Sequence, residues 1–237
     1  MTPSGARMYG GRDASEREAE RRQRFIEAGV TLFGTIGYHA TSVRVLTAEA
    51  RLNNRYFYEC FGAMEDLLIA CYEHLMSQLI EQLVVALNTP TDNLEDRLRR
   101  GARCYFEAVQ SPHFARITQV EVLGVSQRVD AIYIQAMADL AELTLRVIRD
   151  RALAADIDKP RLDVIGAALV GAMMTAGAHW VRTRYQDPID VMVDGSTRVL
   201  LGTFMQVLEP EQQPAGELEQ ARRTSRSAPK SVRRGVS

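Results

Sequence analysis

The stretch that decides the fold is GYHATSVRVLTAEARLNNRYFYECFGAMED, residues 37–66. Apolar residues recur in it at helical spacing, and an Asn-Asn pair separates two such segments. The pattern predicts a helix over residues 42–50 with Thr41 as its N-cap, and a very short helix over residues 53–60 that is capped by Asn53. Two helices joined by a turn of two or three residues have helix-turn-helix geometry.

The second of these helices carries groups that can read DNA. Asn54, Arg55 and Tyr56 add an amide, a guanidinium and a phenol to the amide of Asn53. Arginine pairs with guanine and asparagine with adenine in the major groove, whereas the alternative is that these are merely cap and surface residues. A helix this short does not fold alone, so its aromatic residues indicate a docked and presented element.

The rest of the chain predicts further helices and no strands. Apolar spacing of three and four residues favours helices over residues 16–35, 65–87, 93–109, 112–124, 128–154, 161–184 and 188–208. We therefore expect an all-α fold of about nine helices. It comprises a disordered arm (1–15), a three-helix helix-turn-helix DNA-binding domain (16–62), a helical bundle (63–209) and a disordered basic tail (210–237). The tail either solubilises the chain or contacts nucleic acid nonspecifically.

Composition indicates an ordinary soluble protein. The formal net charge of -1 means that any DNA contact comes from a local basic patch. The cysteines Cys60, Cys71 and Cys104 are odd in number and widely spaced, which favours reduced thiols in a cytoplasmic protein. The N-terminus lacks an apolar signal segment, and the apolar run 165–178 is shorter than the ~20 residues that cross a bilayer. We expect a buried helix there and no membrane partner.

Residues 37–67 resemble the tetracycline-repressor (TetR) family of bacterial regulators. The matching positions are Gly37, Tyr38, Thr41, Ser42, Val43, Arg44, Ala50, Phe57, Tyr58, Phe61, Glu65 and Leu67. The resemblance implies a homodimer that binds a palindromic operator in double-stranded DNA and releases it when a small molecule binds. Activation of transcription is the minority alternative. The DNA-binding residues that we expect are Thr41, Ser42, Val43, Arg44, Arg51, Asn53, Asn54, Arg55, Tyr56 and Tyr58, with Thr41 and Ser42 clamping a phosphate.

Three residues depart from the family pattern. Arg51 stands where the turn usually has glycine, so the turn has a strained backbone or Arg51 adds a phosphate contact. Glu59 lies four residues after Arg55 and either holds that guanidinium or repels the DNA backbone. Met64 stands where a phosphate-binding lysine is usual. These departures leave open a protein that binds a small molecule or a partner with a weakened DNA reader.

The resemblance also implies a ligand pocket in the C-terminal helices and a four-helix dimer interface built by the last two. The pocket candidates are large apolar groups with a few polar ones: Cys104, Tyr105, Phe106, His113, Phe114, Glu121, Tyr133, Met137, Met173, Met174, His179 and Trp180. For each of them plain core packing is the alternative, and together they favour an apolar or amphipathic effector. The dimer candidates are Gly166, Gly171, Leu200, Leu201, Phe204 and Val207.

No enzyme class is indicated. The sequence has no phosphate-binding loop, nucleophile elbow or metalloprotease motif. Cys71 and His74 share a helix face, but a metal site needs three or four ligands. We therefore expect no catalytic residue, no metal and no cofactor.

Overall fold

The computed structural model describes residues 9–91, 93–149 and 158–208. Within those ranges the chain forms nine helices and no strand, which confirms the predicted all-α class. The helices are α1 (Tyr9–Thr35), α2 (Val43–Ala50), α3 (Asn54–Cys60), α4 (Met64–Asn88), α5 (Leu94–Val109), α6 (Pro112–Arg116), α7 (Gln127–Arg149), α8 (Lys159–Arg182) and α9 (Ile189–Leu208); a π-helical turn, Ile117–Glu121, follows α6.

Helices α1, α2 and α3 form a small N-terminal unit around an aromatic core. The rings of Phe25 and Phe57 meet edge to face with centroids 5.7 Å apart, and Phe61 stacks on Phe57 at 5.9 Å. All three side chains are buried, together with Leu46 of α2. Because α3 has only seven residues, this docking rather than intrinsic helix propensity holds it in place. The predicted presentation of a short helix is confirmed.

Capping residues set the starts of these helices. The N-cap of α2 is Ser42, one residue later than predicted, and its Oγ accepts a hydrogen bond from the Val45 N–H at 3.3 Å. The predicted cap of α3 is confirmed, since Asn53 Oδ1 accepts from the Tyr56 N–H at 3.1 Å. Helix α1 begins at Tyr9 rather than residue 16, so the predicted disordered arm is helical over residues 9–15. The run of Glu, Arg and Ala after Gly11 favours helix strongly enough to extend it backwards.

Helix α4 joins the N-terminal unit to the body. Gly29 of α1 lies against it so closely that a Cβ there would come 2.6 Å from Cys71 Sγ and 3.3 Å from the Leu67 side chain. Cys71 is fully buried and its thiol contacts the Ile26 carbonyl at 3.5 Å. All three cysteines are free thiols, as the sequence predicts. The close α1–α4 packing means that a tilt of α4 carries α1 with it.

The body is a bundle in which α5 packs on α4 and α9, and α7 packs on α8. One apolar cluster is continuous from the N-terminal unit, where it includes Phe25 and Phe57, into the body, where it includes Phe106 and Trp180. A second, with Leu98, Leu145 and Phe204, fills the far end. The predicted helix 112–124 is instead short α6 and the π-helical turn, and the C-terminal part of the predicted helix 128–154 lies outside the described residues, as does the tail 210–237.

Helix α8 is long and apolar enough to span a membrane by length and composition, but it lies in a helical bundle. The expectation of a buried helix is only partly met, because 28% of its apolar window is buried. Gly166, Leu169 and Val170 face the bundle, whereas Val164 is 69% exposed. One apolar face of α8 is therefore left uncovered by the part of the chain that the structure describes.

Candidate nucleic-acid interface and ligand cavity

The exposed face of α3 presents an arginine held by a glutamate. Arg55 Nε lies 2.8 Å from Glu59 Oε1, and the Arg55 side chain is 84% exposed. The hydrogen bond that Arg55 donates to Glu59 raises the pKa of Arg55, so this guanidinium is permanently charged. Tyr58 and Arg44 are exposed beside it. Of the two roles that the sequence allowed for Glu59, the one in which it holds Arg55 is confirmed.

The two asparagines at the start of α3 are already hydrogen-bonded within the protein. Asn53 caps the helix, and Asn54 Oδ1 accepts from Thr47 Oγ1 at 3.0 Å, which ties α3 to α2. Both residues are exposed, and these two contacts use only their Oδ1 atoms. These residues therefore orient the recognition helix and retain donors for a base edge or a phosphate.

Three of the predicted DNA-binding residues face inward. Thr41 is buried and its hydroxyl donates to the Gly37 carbonyl at 2.7 Å, so it closes the α1–α2 turn and cannot clamp a phosphate. Tyr56 is partly buried beneath the Arg21 guanidinium, 4.7 Å from the ring centroid. Val43 is also partly buried. Ser42 lies at the exposed start of α2, where it is well placed to contact a phosphate.

The turn between α2 and α3 contains the backbone strain that the sequence predicts. Arg51 has φ 53° and ψ 42°, the left-handed region that favours glycine. Its N–H still closes the helix on the Ala48 carbonyl, and Arg24 of α1 donates to the Ala50 carbonyl at 2.7 Å. Arg51 itself is exposed, so its guanidinium is available to DNA.

Glu121 connects the N-terminal unit to the body. Its side chain is only 10% exposed, and it accepts hydrogen bonds from the Tyr38 backbone N–H and from Arg116 Nε, each at 2.8 Å. Arg116 also donates to the Thr35 carbonyl at the end of α1. Gly37, with φ 96°, fits between them, since a Cβ there would come 2.6 Å from Arg116. We call this set of contacts the Glu121 clasp.

Three residues predicted for the pocket pack against the N-terminal unit instead. Glu121 serves the clasp, and His113 packs against Gly34 so tightly that no Cβ fits between them. Phe114 is buried in α6, which packs on α1. The sequence cannot separate these residues from pocket residues, because aromatic and acidic side chains in a short helix do not indicate which element they pack against.

A second link joins the start of α4 to the start of α7. Ser126 donates to Glu65 Oε1 at 3.0 Å, and Arg128 forms an ion pair with Asp66. The Arg128 hydrogen bond holds the pKa of Asp66 below its usual value. Met64, beside this link, packs against the core instead of reaching solvent as a lysine would.

An apolar cavity of about 80 Å³ lies inside the body, between α4, α5, α7, α8 and α9. Three pocket predictions, Tyr105, Met173 and Met174, line it. The remaining lining residues are almost all aliphatic: Leu83, Leu87, Leu98, Gly101, Ala102, Leu140, Leu143, Thr144, Val147, Leu169, Val170 and Leu200. Sequence reasoning missed these aliphatic residues because a leucine that lines a cavity has the same helical spacing as one that fills a core.

An open groove of about 770 Å³ runs along α7 and α8 next to the cavity. It contains two further pocket predictions, Tyr133 and Met137, and charged groups that the cavity lacks, namely the carboxylates of Asp139, Glu142 and Asp163 and the ammonium of Lys159. Met174 and Val170 line both spaces, so they form the wall between the cavity and the groove.

The other four pocket predictions lie elsewhere. Phe106 and Trp180 are fully buried and pack edge to face at 5.7 Å, while Trp180 Nε1 donates to the Asp187 carbonyl at 2.8 Å. His179 is exposed on α8. Cys104 faces a separate outer groove between α4 and α5, and partial burial raises the pKa of its thiol to about 11.

The predicted dimer residues fall mostly inside the protomer. Leu200 and Phe204 are buried in the second apolar cluster with Leu201 against them, because the α9 leucines face α5. Gly166 packs on Leu145, whereas Gly171 has open space around its Cβ position. The side chain of Val207 lies outside the described residues.

An exposed apolar stripe on α8 and α9 lies beside the predicted dimer positions. On α9 it comprises Val191, Val199 and Met205, which are 55%, 55% and 49% exposed, with Gly195 and Gly202 between them. On α8 it includes Ala168 and Ala172. The predicted positions Leu200 and Phe204 are next in sequence to Val199 and Met205 of this stripe.

Comparison with known proteins gives a family match for most of the N-terminal unit and the start of α4. Residues 25–71 match the family model of the bacterial regulatory proteins, tetR family. The chain is 23% identical over 207 residues to the HTH-type transcriptional activator FasR from Mycolicibacterium smegmatis, which covers 86% of this chain and 91% of that protein.

Solved structures share the fold over about three quarters of this chain. The fatty acid degradation regulator FadR from Bacillus halodurans has a TM-score of 0.65 at 19% identity, over 77% of this chain and 95% of that one. The transcriptional regulator FadR from Bacillus subtilis, solved in complex with stearoyl-CoA, has a TM-score of 0.65 at 17% identity, over 76% and 98%. The predicted resemblance is confirmed, and the matched family consists of transcription regulators rather than enzymes.

Proposed function

We propose that this chain, whose DNA reader is of the tetR family, is a homodimeric transcription regulator that responds to a long-chain fatty acyl thioester. The observation that carries the proposal is the apolar cavity beside an open polar groove. An amphipathic effector places its hydrocarbon chain in the cavity and its polar part in the groove. The Bacillus subtilis structure named above contains a ligand of this chemistry.

The cavity suits a flexible chain better than a rigid ring system. Its volume of about 80 Å³ holds several atoms of water size, at roughly 10–15 Å³ each. Met173 and Met174 are partly buried in its wall, and unbranched thioether side chains move aside at low cost. A longer chain is accommodated by displacing them, so affinity rises with chain length until the wall no longer yields.

DNA is read by the exposed groups of α2 and α3. Arg55 and Tyr58 face outward at the middle of α3, and Arg44 and Arg51 flank them. We assign base contacts to Arg55 and Tyr58 with the asparagine amides, and phosphate contacts to Ser42, Arg44 and Arg51. This local basic surface supplies the attraction that the net charge of -1 does not.

The exposed stripe of α8 and α9 is the dimer interface in this proposal. Two copies of the stripe form a four-helix contact in which glycines allow close approach and Val191, Val199 and Met205 supply apolar area. Dimerisation accounts for the exposed apolar face of α8. It also positions two DNA readers so that each can contact one half of a palindromic operator.

In this proposal the ligand shifts the equilibrium between conformations that differ in the distance between the two DNA readers of the dimer. The α4 residues Leu83 and Leu87 line the cavity at one end of that helix, while its other end contacts the reader. A ligand that moves α4 therefore moves α1, and the Glu121 clasp and the Asp66–Arg128 pair transmit the change. Repression relieved by the effector is the expected sign. Activation is the second candidate, which the similarity to a named activator favours.

The test is DNA binding with and without stearoyl-CoA. Purified protein is titrated into labelled genomic fragments, including the stretch upstream of its own gene, at two salt concentrations. Selective binding that Arg55→Ala abolishes and stearoyl-CoA shifts supports the proposal. Weak, sequence-blind binding favours instead a protein with a degenerate reader, and no response to stearoyl-CoA removes the acyl effector.

A further inference from the structure

The hydrogen bond between Arg55 and Glu59 leaves the terminal nitrogens of the arginine free for DNA. It joins Arg55 Nε to Glu59 Oε1 at 2.8 Å, across one turn of α3. Because this contact uses only Nε, the Nη1 and Nη2 atoms keep their donors, and the Arg55 side chain is 84% exposed. The planar guanidinium therefore offers a fork of two donors whose position a carboxylate fixes.

Glu59 adds an acceptor beside that fork. Its side chain is 41% exposed, and its hydrogen bond with Arg55 engages Oε1. An ionised carboxylate has about four acceptor sites on its two oxygens, so it can accept from a second partner as well. The pair thus presents donors and an acceptor side by side on the exposed face of α3.

A G·C base pair has the complementary pattern in the major groove. Guanine shows the acceptors N7 and O6, and the cytosine paired with it shows the N4 amino donor. The guanidinium fork matches the two guanine acceptors, and the carboxylate matches the cytosine amine. An A·T pair places the adenine N6 donor against the fork and the thymine O4 acceptor against the carboxylate, so both contacts become unfavourable.

The asparagines before Arg55 are poorly placed to read adenine. A bidentate adenine contact needs the oxygen and the nitrogen of one amide together. In the helix cap, Asn53 Oδ1 accepts from the Tyr56 N–H at 3.1 Å, and Asn54 Oδ1 accepts from the Thr47 hydroxyl at 3.0 Å. Both oxygens are bound within the protein, so these amides approach DNA with their NH₂ donors. Such donors suit phosphates and base acceptors.

We propose that Arg55 and Glu59 together read one G·C base pair in each half of the operator. Arg55 Nη1 and Nη2 donate to guanine N7 and O6, and Glu59 accepts from the cytosine N4 amine. This inference rests on the proposed reading of DNA by α3, and it names the base pair that the reader requires. Glu59 then lowers the affinity for DNA in general and increases the discrimination between base pairs.

The experiment selects binding sites from duplexes with a randomised core and then exchanges one base pair. Wild type, Arg55→Gln and Glu59→Gln are each used for selection. Fluorescence anisotropy then measures affinity for the wild-type consensus duplex and for a duplex with the other type of base pair, G·C or A·T, at the position that Arg55→Gln alters. Glu49→Gln is the matched control, because it removes the same charge from an exposed position of α2 in the same reader. Circular dichroism checks that the variants keep their helicity.

The proposal predicts a loss of discrimination, not a loss of binding, in Glu59→Gln. Wild type prefers the G·C duplex by roughly tenfold to a hundredfold. Arg55→Gln loses this preference at that one position. Glu59→Gln binds both duplexes more tightly, but the factor between them shrinks about threefold or more. Glu49→Gln keeps the wild-type factor.

Three results overturn the inference while the DNA reader stands. The first is that Arg55→Gln alters no position, or alters one at which wild type selects A·T. The second is a Glu59→Gln protein with the wild-type preference, since Glu59 then only holds Arg55. The third is an equal loss of preference in Glu49→Gln, which shows a general effect of charge. Failure of the wild type to select any sequence contradicts the proposed function and this inference with it.

Discussion

Replacing Glu121 by glutamine tests the link between the body and the DNA reader. The carboxylate is 10% exposed and accepts two hydrogen bonds at 2.8 Å, one from the Tyr38 N–H and one from Arg116. An amide keeps one oxygen acceptor but turns its NH₂ group towards the other donor. Hydrogen bonds to a charged group contribute about 1.5–3 kcal/mol. Because Arg116 is 38% exposed, its share is discounted, and we expect a total loss of about 2 kcal/mol.

That loss has a thermal and a functional consequence. For a chain of this size about 1 kcal/mol corresponds to roughly 2–4 °C, so the Tm of Glu121→Gln falls by about 4–8 °C. If the clasp transmits the ligand signal, the factor by which stearoyl-CoA changes operator affinity also falls, by roughly fivefold. Fluorescence anisotropy of a labelled operator with and without effector measures this factor.

The matched control is Glu95→Gln. Glu95 pairs with Arg99 on the surface of α5, a helix of the body, and is 47% exposed, so both the Tm and the coupling factor of Glu95→Gln stay near the wild-type values. A Glu121→Gln protein that melts earlier yet responds to effector as strongly as wild type refutes the reasoning, because the clasp would then stabilise the fold without coupling the domains.

Four further predictions follow from single contacts. Arg51→Gly relieves a left-handed residue and raises the Tm by a few degrees, corresponding to about 1 kcal/mol, in differential scanning calorimetry. Glu59→Gln frees the Arg55 guanidinium and removes a negative charge beside DNA, so duplex affinity rises severalfold and its salt dependence steepens in anisotropy titrations. Val199→Glu places a charge in the exposed stripe and yields monomers by light scattering at unchanged helicity; a persistent dimer rejects the stripe. Asp66 has a lowered pKa, so its pair with Arg128 stabilises the fold above the ordinary carboxyl pKa, and this advantage over Asp66→Asn disappears as pH falls below about 4 in thermal melts.

The sequence predicts the reader well because its signals are local. The Asn53 cap, the short α3 with its aromatic anchors and the Arg51 turn all depend on residues within one or two helical turns. The i,i+4 pairing of Arg55 with Glu59 is local too, and it was one of two predicted roles. Thr41 was misassigned because a hydroxyl at a helix start caps either the helix or the preceding turn.

The body is less predictable because its function depends on which helix faces meet. Leu200 and Val199 are neighbours in an apolar helix, yet Leu200 is buried in the core and Val199 is 55% exposed. Periodicity gives the spacing of a stripe but not which of two apolar stripes points inward. Glu121 is a comparable case, since its partner Tyr38 is 83 residues away along the chain.

The measurement that tests the central claim most directly is the affinity of the protein for the DNA upstream of its own gene as stearoyl-CoA is added, with Arg55→Ala and unrelated DNA as controls. The account predicts selective binding in wild type, loss of selectivity in Arg55→Ala, and a change of operator affinity that saturates with stearoyl-CoA. Selective binding that no concentration of stearoyl-CoA alters, or binding equal on operator and unrelated DNA, contradicts it.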